Sequence, residues 1–261
     1  MTSRSQTLYW FISVLVIAAI VVWLTGQNTA LFYAVNHTGH LLPDALWSNL
    51  TLVADTLFAV AVLLIIACYY PSMLNQSLLL LIIGSLVVHG FKQGLNIPRP
   101  AAVLDRDSFW IIGQVLKNHS FPSGHSFTAM SCAGLIWLNL THKGWAIVAL
   151  VIGFLAALSR AMVGAHWPLD ILVGSAAGLA VAVLSHWLVQ RFRVFRGHGQ
   201  KLFTALLLTI ASAYLSFHQD GYPYTDALAI TASISAVLFA LRKIWLPLAG
   251  HLRRAFSAGP R

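Results

Sequence analysis

Long apolar runs alternate with short polar breaks along most of the chain. The first run covers 8–24. Further runs close to the roughly 20 residues needed to cross a bilayer fall near 50–70, 76–92, 124–141, 146–163, 169–190, 202–217 and 226–245. This pattern predicts an all-α polytopic membrane bundle of about eight spans in one integral membrane domain, 1–261. The first run follows Arg4. It exceeds the roughly 7–15 residues of a signal peptide's apolar region and no Ala-x-Ala site follows, so it is expected to remain as an uncleaved span. The stretch 27–47 is mixed polar and aromatic and is expected on the outer side, with Trp23, Tyr33 and Trp47 at the interface. The stretch 105–117 alternates charges with Phe109, Trp110, Ile111 and Ile112. It reads either as a short helix lying in the interface or as a connecting loop with membrane-anchoring aromatics.

Composition agrees. Of 261 residues, 58% are hydrophobic and 9% charged, against about 25% charged in an ordinary soluble domain. The net charge of +9 raises nucleic-acid binding. However, the basic residues sit in short loops between spans, and no basic domain is left to present to a nucleic acid. Cys68 and Cys132 both fall inside apolar runs and read as small core residues, with neither a disulfide nor a metal site expected.

Charge placement predicts the orientation. With the N-terminus inside, eleven of the 16 Lys and Arg, from Arg4 to Arg261, fall on the inner side. Five fall outside: Lys92, Arg99, Arg106, Lys117 and Arg160. This is the positive-inside pattern. It predicts a multi-pass protein of the plasma (bacterial inner) membrane, with both termini cytoplasmic. The basic tail from Arg242 is expected along the inner lipid surface or as a charged stop-transfer flank. All seven acids are Asp and fall on the outer half.

Three of the outer cations belong to polar clusters, and ionisable groups at membrane depth are functional candidates. The clusters are Lys92 to Pro100, Pro122-Ser123-Gly124-His125, and Ser159-Arg160 with His166 and Asp170 beyond. Arg presents a planar fork suited to phosphate oxygens, and Lys adds a point charge. Pro122 reads as a proline just inside a helix start, where free N–H groups and a positive dipole end favour an anion. Gly124 allows close approach, with the Ser123 hydroxyl beside it and His125 in the first turn. His166 and Asp170 are four apart. A carboxylate bonded to one imidazole nitrogen leaves the other free to attack. Pro168 between them disfavours helix at Trp167, so the pair is expected to bridge the turn into the sixth span. Asp55 either lines the site or bonds a neighbouring helix.

The three clusters together resemble the signature of the type-2 phosphatidic acid phosphatases, or lipid phosphate phosphatases: Lys-x6-Arg-Pro, Pro-Ser-Gly-His, and Ser-Arg-x5-His-x3-Asp. Lys92, Arg99 and Pro100 fit the first part; Pro122 to His125 fit the second; Ser159, Arg160, His166 and Asp170 fit the third. The resemblance covers roughly 50–190 and implies a six-span phosphatase core, with two additional C-terminal spans at 202–245. It also implies a hydrolase that uses neither metal nor cofactor. His166 would attack phosphorus and become a phosphohistidine, and Asp170 would orient it. His125 would protonate the leaving group and then activate water. Lys92, Arg99, Arg160, Ser123 and Gly124 would hold the phosphoryl oxygens.

The expected partners are membrane lipids and a phospholipid or polyprenyl (di)phosphate substrate at the outer face. Candidates are undecaprenyl diphosphate, phosphatidylglycerol phosphate, phosphatidate and lipid A. The small head group and the outward-facing site favour the first. A lipid phosphotransferase would share the same intermediate. A transporter fits less well, because its site belongs near the bilayer midplane. Vanadium haloperoxidases share the phosphate pocket but are soluble.

Overall fold

The computed structural model describes residues 3–257. Its elements are α1 (Ser3–Thr25), α2 (Asn28–Gly39), α3 (Asp44–Val53), α4 (Thr56–Ala67), α5 (Ser72–Leu95), a short α6 (Pro100–Val103), α7 (Gly124–Asn139), α8 (Lys143–Met162), α9 (Pro168–Arg191), α10 (His198–Tyr214), α11 (Asp226–Ala240) and α12 (Leu246–Ser257). The described residues contain no strand, so the fold is the all-α bundle that the apolar pattern predicts.

Every expected span has a helix, but the lengths differ from expectation. Among the described residues, six segments are long and apolar enough to cross a membrane alone, and a seventh is formed by α3 and α4 together, bent by 63°. The bend has a local cause. Asp55 interrupts the apolar run, and its Oδ1 accepts the Leu57 N–H at 2.7 Å as the N-cap of α4, so a new helix starts there. The remaining expected span, 124–141, is α7 and has only 16 residues. The placement expected of Arg261 lies outside the described residues.

The structure defines two outer segments that the sequence reading left open. The stretch 27–47 contains α2 and the start of α3. The stretch 105–117 is not an interfacial helix: among these residues only Arg106–Ser108 form a single 3-10 turn. Beyond that turn its backbone bonds outward, with Trp110 N donating to Asn36 Oδ1 at 2.7 Å and Ile112 N to Val163 O at 3.3 Å. Phe109 and Ile112 are buried. Anchoring to α2 and to the end of α8 has displaced internal helical bonding.

α7 is the centre of the bundle, packed against α8 and α9, and α1 covers α9. The α7–α9 seam depends on two glycines. A Cβ on Gly174 would stand 2.5 Å from the Ser123 carbonyl oxygen, and one on Gly178 would collide with that of Phe127. This close approach sets the start of α7 against the first turns of α9. α10 and α11 lie on α4, and α10 also touches α5. Their buried faces, among them Ala205, Leu208, Leu215, Ala229 and Ala236, belong to the same core as Leu63, Leu64, Leu135 and Val181.

Candidate active site

All three polar clusters lie at one end of the bundle, at the C-terminal ends of α5 and α8 and the N-terminal ends of α7 and α9. α5 carries Lys92 in its last turn and stops at Asn96, which adopts a left-handed conformation with φ 31°, a position asparagine tolerates. The chain then passes Arg99 in extended form, and 117–120 folds back beside it. Arg99 N donates to Lys117 O and Ser120 N to Ile97 O, each at 2.8 Å. The Arg99 side chain is buried and thoroughly bonded. Its Nε donates to Asn118 O at 2.8 Å, Nη2 to His119 O at 3.4 Å, and Nη1 to Ala165 O at 2.9 Å and to His166 Nε2 at 3.0 Å.

The last of these bonds assigns the histidine tautomer. A guanidinium can only donate, so Nε2 of His166 presents a lone pair and the ring proton sits on Nδ1. Nδ1 faces Asp170 Oδ2 at 3.4 Å. Burial first, then the positive charges of Arg99, Arg160 and Lys92, hold the His166 imidazole well below its ordinary pKa. It is therefore neutral at pH 7, with its nucleophilic lone pair intact.

Asp170 is itself held in place. Its Oδ2 accepts the Trp167 N–H at 3.0 Å and the Ser120 hydroxyl at 2.5 Å. Trp167 is extended at φ −72°, ψ 150° and Pro168 is the first helical residue, as the pre-proline restriction predicts. The His166–Asp170 pair thus bridges the turn into α9. The Arg160 carbonyl accepts the N–H groups of Ala165 and His166 at 2.9 and 3.1 Å, which tethers the turn to α8.

Arg160 contrasts with Arg99. It is only 1% exposed, yet its Nε and Nη1 have no hydrogen-bond partner among the described residues. A buried charged donor without an acceptor is costly, and an anion would satisfy both nitrogens. Ser159, next to it, bonds Thr51 Oγ1 at 2.9 Å.

At the start of α7, the Ser123 oxygen accepts the Ser126 N–H at 3.3 Å and the Ser126 hydroxyl at 2.9 Å, so it is engaged as the helix cap. The Ser123 N–H donates to Asp170 O at 3.1 Å. Lys92 Nζ lies 3.5 Å from where a Cβ on Gly124 would stand. His125 has no hydrogen-bond partner among the described residues. It lines a cavity of about 420 Å³ with Lys92 and Gly124, and the rest of that cavity is largely apolar, walled by Leu63, Leu80, Val88 and Phe127 of α4, α5 and α7. Lys92 and His125 stand at the head of this largely apolar groove.

The structure therefore brings Lys92, Arg99, Gly124, His125, Arg160, His166 and Asp170 to one site, with the Ser123 hydroxyl turned to capping. Two neighbours escape the motif reading. Ser120 orients Asp170, and its sequence signal is only a serine two residues before Pro122. Tyr222 lies over the Arg160 guanidinium, 5.2 Å from Cζ to the ring centre, and nothing in the sequence announces it. Asp55 caps α4 and faces His218 Nε2 at 3.9 Å, so it bonds a neighbouring segment.

Comparison with known proteins gives the same picture. Residues 73–193 match the PAP2 superfamily. Lipid A 1-phosphatase of Porphyromonas gingivalis is 32% identical over 87 residues, 32% of this chain and 20% of that protein. Phosphatidylglycerophosphatase B of Escherichia coli K12 is 33% identical over 113 residues, 41% of each chain. The chain thus spans between a fifth and about two fifths of the length of these curated relatives. The crystal structure of LpxE from Aquifex aeolicus superposes with a TM-score of 0.54 at 25% identity, covering 61% of this chain and 94% of that one. The signature residues thus lie within the 73–193 segment that matches the PAP2 superfamily, and they converge at one end of an all-α bundle.

Proposed function

We propose that the protein is a metal-independent membrane phosphatase that removes a phosphate or diphosphate from a lipid through a phosphohistidine on His166. The observation that carries this reading is the ring of charge around one neutral imidazole. Nε2 is held by Arg99 at 3.0 Å, Nδ1 faces a buried carboxylate, and Arg160 keeps two unpartnered donors beside them.

In the first step the Nε2 lone pair attacks phosphorus, the bond from phosphorus to the lipid oxygen breaks, and His125 gives its proton to that oxygen. Asp170 stabilises the positive charge that appears on the imidazole. Water then gives a proton to His125 and attacks phosphorus. The P–N bond breaks, phosphate leaves, and His166 returns to its neutral form. Lys92, Arg99 and Arg160 supply the positive charge that the transferring phosphoryl group requires, with the Gly124 N–H at the start of α7 beside them. The Arg99 donor now on Nε2 passes to a phosphoryl oxygen as the group arrives. The lipid tail lies in the groove between α4, α5 and α7, which meets the site at Lys92 and His125.

The excess of Lys and Arg at the opposite end of the bundle supports an outward-facing site with both termini in the cytoplasm. The test is phosphate release by the purified protein in detergent, with EDTA present, from undecaprenyl diphosphate, phosphatidylglycerol phosphate, phosphatidate and lipid A. The expected result is EDTA-insensitive release from one of them, undecaprenyl diphosphate foremost. Phosphorylated lipid product without free phosphate would replace hydrolysis by phosphotransfer.

A further inference from the structure

The segment that matches the PAP2 superfamily ends at residue 193, yet the chain returns to the site well beyond it. Between α10 and α11 the loop 218–225 is built to a definite shape. Asp220 Oδ1 accepts the Tyr222 N–H at 2.9 Å and the Thr225 hydroxyl at 3.0 Å. Asn49 of α3 holds the Tyr224 carbonyl at 3.1 Å, and His218 faces Asp55.

The tip of this loop is pressed against the 105–117 segment. Gly113 has φ 77°, and a Cβ there would stand 2.6 Å from the Gly221 carbonyl oxygen and 2.7 Å from Tyr222 Cδ1. Gly221, at φ 79°, meets Gln114 in the same way. Two glycines with positive φ therefore let the loops pack closely, with the Tyr222 ring against Gly113 and the Gln114 side chain against Gly221. The result packs Tyr222 against the buried cluster of Trp47, Ile112, Met162, Val163 and Ala165 and places its ring over the Arg160 guanidinium. The Tyr222 hydroxyl is buried without a hydrogen-bond partner among the described residues, and so are Nε and Nη1 of Arg160, on which the ring lies. Two neighbouring residues thus share three unsatisfied donors. Buried polar atoms are normally satisfied, and a single oxyanion between the two side chains would satisfy them together.

We propose that Tyr222 is a phosphate-binding residue supplied from the C-terminal extension, its hydroxyl donating to an oxygen of the group held by Arg160. The ring also orients that guanidinium from one face. The extension then serves as a wall of the site as well as a support for α4. This inference rests on the phosphatase reading, and its test separates the two.

The test compares wild type, Tyr222→Phe, Tyr222→Ala and Tyr224→Phe, as full chains in detergent. Tyr224 is exposed on the same loop and serves as the control. The readouts are thermal-shift binding of tungstate, a tetrahedral oxyanion, and KM and kcat for lipid phosphate release. Tyr222→Phe keeps the ring, so its melting temperature should equal that of wild type. Its tungstate affinity should fall about tenfold, about 1.4 kcal/mol, with KM raised similarly and kcat within about threefold. Tyr222→Ala should bind more weakly still, and Tyr224→Phe should match wild type. If Tyr222→Phe binds tungstate and substrate as wild type does, the hydroxyl contacts no phosphate and the inference is overturned while the phosphatase reading stands. If wild type neither binds tungstate nor releases phosphate, both fall together.

Discussion

Two buried arginines flank His166, and they are held in opposite ways. Arg99 gives its donors to the carbonyls of Asn118, His119 and Ala165 and to the imidazole. Arg160 keeps Nε and Nη1 without a partner and has only an aromatic ring across its face. One side of the site is therefore knitted into the fold, because three loop carbonyls need Arg99 as much as the substrate does. The other side holds its charge ready for an anion. Two arginines of one three-part signature thus divide between building the site and binding at it, and the signature alone does not show which does which.

The largest effect should come from breaking the knitted side. Arg99→Ala leaves three carbonyls unpaired, each at about 1–3 kcal/mol where buried. It should lose activity and fold together, seen as a lowered melting temperature and poor recovery from the membrane. Arg99→Lys should rescue little, since an ammonium cannot span the same fork of acceptors.

The free side should separate function from stability. Arg160→Gln should lower kcat/KM by about 10²–10³, the usual result of removing one donor from a developing oxyanion. Its melting temperature should be unchanged or higher, because an unpaired buried charge is gone. A parallel loss of stability would erase the distinction between the two arginines.

Smaller changes refine the comparison. Ser120→Ala removes the hydroxyl that orients Asp170 and should cost about tenfold in kcat, near the 1.4 kcal/mol of one hydrogen bond to a charged group, with KM little changed. The smallest effect is on pH. The kcat/KM profile should be bell-shaped. Burial and three cations depress the His166 pKa, so its acid limb should lie below the usual imidazole value of about 6.5. Arg160→Gln removes one depressing charge and should move that limb upward; a downward shift, or a flat profile with chemistry rate-limiting, would contradict the assignment.

The motif residues were legible because charges among apolar runs stand out: Lys92, Arg99, Arg160 and Asp170 had few structural reasons to be there. Trp167 followed from Pro168 alone, and the start of α4 could have been read from Asp55 as a helix cap. Ser120 was not legible. Its bond to Asp170 exists only because 117–120 folds back along Ile97 and Arg99. Tyr222 lay further out of reach, since a tyrosine between two spans suits any membrane interface, and its place over Arg160 depends on the packing of α10 and α11 against α4. The 105–117 stretch left a helix and a loop both open, and the loop prevails because the Trp110 and Ile112 backbones bond to Asn36 and Val163 rather than within a helix of their own.

The central claim is that His166 carries the phosphoryl group, and the most direct measurement is to trap it. The His125→Gln protein lacks the base that activates water. Given an aryl phosphate, whose leaving group needs no proton, it should accumulate a covalent phosphate that is stable in alkali and lost in acid. Peptide mass spectrometry should locate that phosphate on His166, approaching one group per chain. Label on any other residue, or label that persists when His166→Ala is combined with His125→Gln, would contradict the account.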